Sequence, residues 1–277
     1  MFTLAYNANG LRSQTIERAI AMTAANGYQG IELSLHNNHI HSLHYTKQQI
    51  DHIRKALSDN HIRPVCLATG AQDLLSEEPY EPSLIAPDKE GRNQRIELIR
   101  TAIDIARKLD IPIVSLASGF LKEGIDADVA HRYLVEGIRE CLAYAANEVI
   151  LAIEPEPGMY IQTSAQAKRL VEEIGDTHFR INLDIGHVEC CEPDLYEAIE
   201  NVIDLTVHIH IEDIKDKIHH HEIPGEGNLD FYKILSLLEQ RHYNGAVSVE
   251  LYHHDSVADK ALRKSYQCLK NIMDILS

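Results

Sequence analysis

The chain alternates between short apolar runs rich in β-branched residues and longer stretches in which apolar residues recur every three or four positions. The runs fall at 3–6, 30–35, 63–69, 112–117, 149–154, 179–184, 206–211 and 246–251. Runs of this length bounded by turn residues predict buried strands, and the 3.6-residue period between them predicts amphipathic helices. After the first run, Ile16, Ala19, Ile20 and Thr23 share one helical face, and Asn26-Gly27 supplies a stop. Before the next helix, Thr46 and Gln49 have the spacing of a capping box, with Ile50, Ile53 and Leu57 on the buried side. Ile96, Ile99, Ile103 and Ala106 repeat the pattern. Asp230 opens a late helix with Ile234 and either Leu237 or Leu238 facing inward.

Strand–helix alternation predicts a parallel sheet, and eight such units in 277 residues fit an α/β fold of the (β/α)8 TIM barrel type, a single domain over residues 1–277. The competing doubly wound sheet more often has a Gly-rich first turn, and residues 7–10 read Asn-Ala-Asn-Gly instead. The one long irregular stretch runs from Gly70 to about Arg92 and contains Pro79, Pro82 and Pro87. Its length suits a lid or binding loop, or a plain surface excursion.

Composition then removes several classes. A formal charge of −16 has the wrong sign for a generic phosphate-backbone binder, so no nucleic acid is expected as a bulk partner. No run of 18 apolar residues offers a membrane span, and the N-terminus lacks the basic leader and apolar core of a signal peptide. The five cysteines (66, 141, 190, 191 and 268) include an adjacent pair and no CxxC, which fits reduced thiols in a cytoplasmic protein. The 17 histidines are the unusual count, and many of them cluster.

The chemistry sits where the apolar runs stop. Strand five ends in Glu154-Pro-Glu156, strand six in Asp184-Ile-Gly-His187, strand seven in His208-Ile-His210-Ile-Glu212-Asp213, and strand eight in Glu250-Leu-Tyr252. In a barrel the C-terminal strand ends open onto one face, where active sites lie. An apolar strand does not end in a buried charge without a partner, and a divalent cation partners four such groups at once. Glu154, Asp184, His210 and Glu250 would form a hard, oxygen-rich set suited to Mn, Mg or Co, and also open to Zn.

As a combination, Ile-Glu154-Pro, Leu-Asp184-Ile-Gly-His187, His208-Ile-His210-Ile-Glu-Asp213 and Gly225-Glu-Gly227-Asn-Leu-Asp230-Phe resemble the xylose isomerase-like TIM-barrel superfamily. That superfamily includes sugar phosphate isomerases and epimerases and the endonuclease IV type of enzyme, AP endonuclease family 2. The resemblance extends from Leu4-Ala5-Tyr6-Asn7 to Val249-Glu250-Leu251. It implies Glu154, Asp184, His210 and Glu250 as metal ligands and His187 as a substrate contact. A metal on a ketose carbonyl and the neighbouring hydroxyl acidifies the α-proton and stabilises an enediolate. In the epimerase branch the two metal-bound glutamates move the proton, which here means Glu154 and Glu250. The bare alternative is that both only hold the metal.

Two positions depart from the ketose 3-epimerase pattern: Gln162, before Thr163, stands in place of a substrate-binding Glu, and Asp216 stands in place of an Arg, flanked by Lys215 and Lys217. Glu156 and Lys217 join His187 as candidate substrate contacts. The endonuclease branch carries Asp-x-His zinc ligands where this chain reads His219-His220-His221. His219 and His221 are therefore candidates for a second metal or for the polar end of a substrate, with an exposed loop tip as the plain alternative. The same branch also needs histidines after strands three and four, and segments 66–70 and 115–119 contain none.

A further cluster, His36-Asn-Asn-His39-Ile-His41, follows strand two, with His39 as the candidate substrate contact and a solvated loop as the alternative. Glu32 suits either a buried structural hydrogen bond or catalysis. Arg92 and Arg95 could reach an anion or form helix-start salt bridges. The expected activity is isomerisation or epimerisation of a small sugar, sugar phosphate or other polyhydroxy carbonyl compound. A dehydratase acting on a cyclic polyol ketone or keto acid is the first alternative, and a metal-dependent phosphodiesterase the second. The expected partner is a small carbohydrate-like substrate, with a homodimer left open.

Overall fold

The computed structural model describes residues 2–41, 43–70 and 74–276. In chain order the strands are β1 (Thr3–Asn7), β2 (Gly30–Ser34), β3 (Arg63–Ala68), β4 (Ile113–Ala117), β5 (Ile150–Glu154), β6 (Phe179–Asp184), β7 (Thr206–Ile211), β8 (Asp213–Lys215), β9 (Ile218–Glu222) and β10 (Ala246–Val249). The helices are α1 (Ile16–Ala25), α2 (Lys47–Asp59), α3 (Lys89–Leu109), α4 (Ala127–Ala145), α5 (Ser164–Ile174), α6 (Ile185–Cys191), α7 (Leu195–Val202), α8 (Phe231–Gln240) and α9 (Ala258–Leu276). All but β8 and β9 close a parallel barrel in the order β1-β10-β7-β6-β5-β4-β3-β2. The eight strands expected from the apolar runs are the eight staves, and the open-sheet alternative falls. Among the described residues no helix is long and apolar enough to cross a membrane.

The two-residue period of each stave decides what faces where. Leu4 and Tyr6, Ile31 and Leu33, Ile181 and Leu183, Ile209 and Ile211, and Val247 and Val249 are fully buried members of the main apolar cluster beneath the helices. The intervening positions point into the barrel. Near its N-terminal end they are apolar: Ala5, Val65 and Ala246 pack together, as do Cys66, Ile113 and Ala152. Farther along they are polar, with Glu32, Asn182, His208 and Ser248 all 0% exposed. The register brings Asp184 beside His210, His210 beside Ser248, and Ala117 beside Glu154, so these strand ends lie at similar heights.

Helix starts follow the sequence signals, with two corrections. Thr46 caps α2 by accepting from Gln49 N at 3.1 Å, but the Gln49 side chain donates to His39 O at 2.7 Å instead of closing a capping box. The helix α3 begins at Lys89, three residues inside the stretch expected to be irregular, because Asp88 accepts from Gly91 N and caps it. The described part of that stretch is anchored, with Leu74, Leu84, Ile85 and Ala86 all buried. Arg95 donates to the carbonyls of Pro82, Thr69 and Tyr80, and Arg92 to those of Ala86 and Pro87. Among the described residues neither arginine forms a carboxylate ion pair; their donors hold the loop backbone.

Candidate active site and metal centre

Each of the four strand-end groups is held by one atom and leaves another turned to a common point. Asp184 caps α6: its Oδ1 accepts from His187 N at 2.7 Å, while Oδ2 is buried with no hydrogen-bond partner among the described residues. Glu250 Oε1 accepts from Asn7 Nδ2 at 3.0 Å and Asn9 Nδ2 at 2.7 Å. Glu250 Oε2 is 3.5 Å from His210 Nδ1. Glu154 Oε1 is 2.8 Å from the same nitrogen, and Asp184 Oδ2 is 3.8 Å from it. One donor atom from each of Glu154, Asp184, His210 and Glu250 thus falls within a span of 4.8 Å.

Glu32 completes the arrangement from across the barrel. Its Oε2 accepts from His210 Nε2 at 2.8 Å and from His208 Nε2 at 2.9 Å. With Nε2 engaged, His210 turns Nδ1 toward the carboxylates. A carboxylate behind a ligand histidine fixes its tautomer and raises its basicity. Burial opposes ionisation of Glu32, but His210 and His208 outweigh it and hold the carboxyl well below its ordinary range. Burial likewise opposes a charge on His210, and Glu32, Glu250 and Glu154 overcome it, so the ring keeps a proton far above its usual pKa in the metal-free chain. Burial pushes the Glu250 carboxyl up to about 8 against the pull of His210. Three inward oxygens, one of them the orphaned Asp184 Oδ2, and the inward nitrogen of a braced histidine fit a hard divalent cation.

A second constellation lies beside the first. His187 donates from Nδ1 to Pro155 O at 2.9 Å, and His221 from Nδ1 to Glu250 O at 3.0 Å, so both present Nε2. His221 Nε2 is 3.1 Å from His219 Nε2, and the three rings offer nitrogens close enough to share an ion. Burial lowers the His221 pKa to about 3, which keeps the ring neutral. The predicted alternation is present: His219 and His221 face inward from β9, while His220 is exposed and stacks on His253. The segment is a strand of the β8–β9 hairpin and not a loop tip. Glu156 also reaches the cleft, with Oε1 3.8 Å from His187 Nε2, and burial pushes its carboxyl up to about 7.

Two expected substrate contacts lie elsewhere. His39 is buried, with its Nε2 3.1 Å from Leu11 O, and it is His36 that lines the cleft. A short turn pairs Leu35 with Ile40, and the His36 ring meets the buried His39 ring edge-on, with centroids 5.8 Å apart. Lys217 is exposed at the hairpin tip, 3.6 Å from Glu189 and outside the cleft.

Two further acids were not assigned roles from the sequence. Glu212 is fully buried next to Asp184, and burial together with Asp184 raises its carboxyl well above the ordinary range. Gly186 leaves room for it, since a Cβ there would lie 1.7 Å from Glu212 Oε1. Asp213 accepts from the amides of Gly225, Gly227 and Leu229, which explains the Gly-Glu-Gly turn as a wrap around a carboxylate. The adjacency of both acids to His210 was the only sequence signal.

The cleft above the strand ends encloses about 680 Å³, counting the space open at its mouth, and Tyr80 and Tyr252 stand on its rim. Residues 20–272 match the family model described as xylose isomerase-like TIM barrel. Hydroxypyruvate isomerase of Escherichia coli (strain K12) is 28% identical over 175 residues, an alignment covering 60% of this chain and 64% of that protein. A D-tagatose 3-epimerase-like protein superposes with a TM-score of 0.84 at 18% identity, over 99% of this chain and 98% of the other. The IOLI protein, in a crystal structure with a binding zinc atom, gives a TM-score of 0.82 at 18% identity, over 100% and 99%. The matched span holds all four strand-end ligand candidates, and the chain belongs to the xylose isomerase-like TIM barrel family.

Proposed function

We propose that this chain is a divalent-metal-dependent isomerase or epimerase of a small sugar, sugar phosphate or related polyhydroxy carbonyl compound, with Glu154 and Glu250 as its proton carriers. The observation that carries the reading is the convergence of these two carboxylates on one nitrogen, His210 Nδ1, at 2.8 and 3.5 Å from opposite flanks of β7 and β6. A cation held by Glu154, Asp184, His210 and Glu250 would polarise a carbonyl and acidify the neighbouring C–H. Acid–base exchange at one carbon needs one group to take the proton and another to hold one. Before a cation binds, burial pushes Glu250 up to about 8; a bound cation would displace that proton and leave the carboxylate free to accept one from substrate. Asn7 and Asn9 fix its Oε1, which leaves Oε2 as the oxygen facing the centre. His187 and Glu156, 3.8 Å apart at the cleft wall, are placed to bind substrate hydroxyls.

The native ion is one of Mn, Mg, Co or Zn. His187, His219 and His221 are read as the site of a second ion or of the substrate's polar end; burial keeps His219 and His221 neutral, while Asp184 and Glu156 hold a proton on His187 that an ion would displace. The five cysteines are unpaired, which supports a reducing, cytoplasmic compartment. The names of the isomerase and epimerase relatives support the reaction class.

The test is wash-in of deuterium from D2O, followed by NMR, into the carbon beside the carbonyl of candidate ketoses. Wild-type protein loaded with Mn2+ incorporates deuterium, and Glu154→Gln or Glu250→Gln lowers both exchange and turnover by about 10²-fold or more. Full-rate exchange by Glu250→Gln would remove it as a proton carrier.

A further inference from the structure

Among the described residues lining the cleft, Arg12 is the one lysine or arginine, in a lining that also includes Glu154, Glu156 and Glu250. It ends the 3₁₀ turn Ala8–Leu11 that follows β1. Its carbonyl accepts from Asn38 Nδ2 at 3.0 Å, which fixes the backbone from the neighbouring loop. Its guanidinium donates from Nη2 to Tyr252 O at 3.2 Å. No carboxylate oxygen of the described residues lies within 4.0 Å of it. A guanidinium has five N–H donors, so most of the fork has no protein acceptor among the described residues.

A half-buried arginine in an acidic cleft would ordinarily pair with the nearest carboxylate. Here the inward carboxylates lie beside other groups: Glu250 beside Asn7 and Asn9, Glu154 and Asp184 at the point they share with His210, and Glu156 beside His187. The position of Arg12 is tied to that same point. Asn9, in the same turn, donates to Glu250, and Tyr252, whose carbonyl holds the guanidinium, follows Glu250 by two residues. An anionic group entering this cleft would be repelled by its acids unless a cation met it. The planar fork of an arginine matches the paired oxygens of a carboxylate or phosphate ester.

We infer that the substrate carries a terminal anionic group, carboxylate or phosphate ester, that docks on Arg12 while its carbonyl end lies over the four strand ends. Arg12 is then a specificity-determining residue that excludes neutral sugars. This rests on the proposed reading of the site as one for hydroxy-carbonyl compounds.

Three ligands that share a hydroxymethyl ketone test it by calorimetry on the Mn2+-loaded protein: neutral dihydroxyacetone, its phosphate, and hydroxypyruvate. Wild-type protein binds at least one anionic member roughly tenfold or more tighter than dihydroxyacetone, and the tighter anion identifies the source, phosphate or carboxylate. Arg12→Gln, which keeps a donor for Tyr252 O, brings anion and neutral affinities within about twofold of each other, and Arg12→Lys restores part of the gap. A merely structural role for Arg12 would weaken all three ligands together and leave the ratio unchanged, which overturns the inference. Equal binding of neutral and anionic ligands by the wild type overturns it while sparing the hydroxy-carbonyl reading. Binding of none of the three contradicts both.

Discussion

On one side of the barrel mouth β5, β6 and β7 end at Glu154, Asp184 and His210–Ile211, with Glu250 just past β10; on the other, β2, β3 and β4 end at Ser34, Ala68 and Ala117. The backbone is the same parallel ladder on both sides, and Ala117 pairs in register with Glu154. The charged half concentrates four donor atoms within 4.8 Å, while the small residues of the other half line the cleft and leave it open. The closed barrel thus supplies equivalent positions, and side-chain choice divides them between holding an ion and making room for a substrate. Side chains also cross the divide: Ser115 of β4 accepts from Asn182 of β6 at 3.0 Å. Glu32 belongs to β2, yet its carboxylate spans the barrel to brace His210 on β7.

Filling the open half is expected to have the largest effect. Ala117→Leu, beside Glu154 but outside the ligand set, should lower turnover about 10²-fold, the scale of a substrate displaced by about 1 Å, with bound metal unchanged. Parallel steady-state kinetics and metal analysis check this; loss of metal together with activity would mean that the two halves are not separable.

Cutting the link between the halves comes next. Glu32→Gln should weaken metal affinity by about 10–100-fold, because His210 loses the carboxylate that sets its orientation. Competition with a chelator measures it, and an unchanged affinity would make Glu32 a core hydrogen-bond partner only.

The smallest effect is a pH dependence confined to the charged half. In the metal-free protein Glu250 titrates at about 8, above its ordinary value, and His187 at about 9, where Asp184 and Glu156 outweigh the burial that would lower it. Both raised values mean that the folded chain holds protons the unfolded chain has released. Their contribution to stability therefore declines as pH rises from about 4.5 to 8 for Glu250 and from about 6.5 to 9 for His187. A cation must displace the Glu250 and His210 protons to bind, so its affinity rises over the same window. The gain in Tm from a fixed Mn2+ concentration should be larger at pH 8.5 than at pH 6; equal gains would show that no proton is displaced.

Much of this was legible in the sequence because a barrel strand signals its own end: the apolar run stops where a polar side chain enters the mouth. Glu154, Asp184, His210 and Glu250 were readable for that reason, whereas the role of Asp184 as the cap of α6 emerged only with the structure. The β8–β9 hairpin was not, since its turn places Asp216 and Lys217 at φ of 55° and 57° without the Asn-Gly signal that such turns favour. The role of Glu32 depends on a partner 178 residues away, which no local period reveals. His36 and His39 stand three apart in one loop, and it is the contact of His39 with Leu11 O, 28 residues away, that keeps its ring out of the cleft. Arg92 and Arg95 bind backbone carbonyls, a use with no side-chain pattern to betray it.

The most direct measurement is a crystal structure of the protein soaked in Mn2+, with anomalous scattering recorded at the manganese edge. The account predicts a strong peak bonded to His210 Nδ1 and to one oxygen each of Glu154, Asp184 and Glu250, with Glu32 still holding Nε2. An ion that settles elsewhere and leaves these four groups joined only to one another would contradict it.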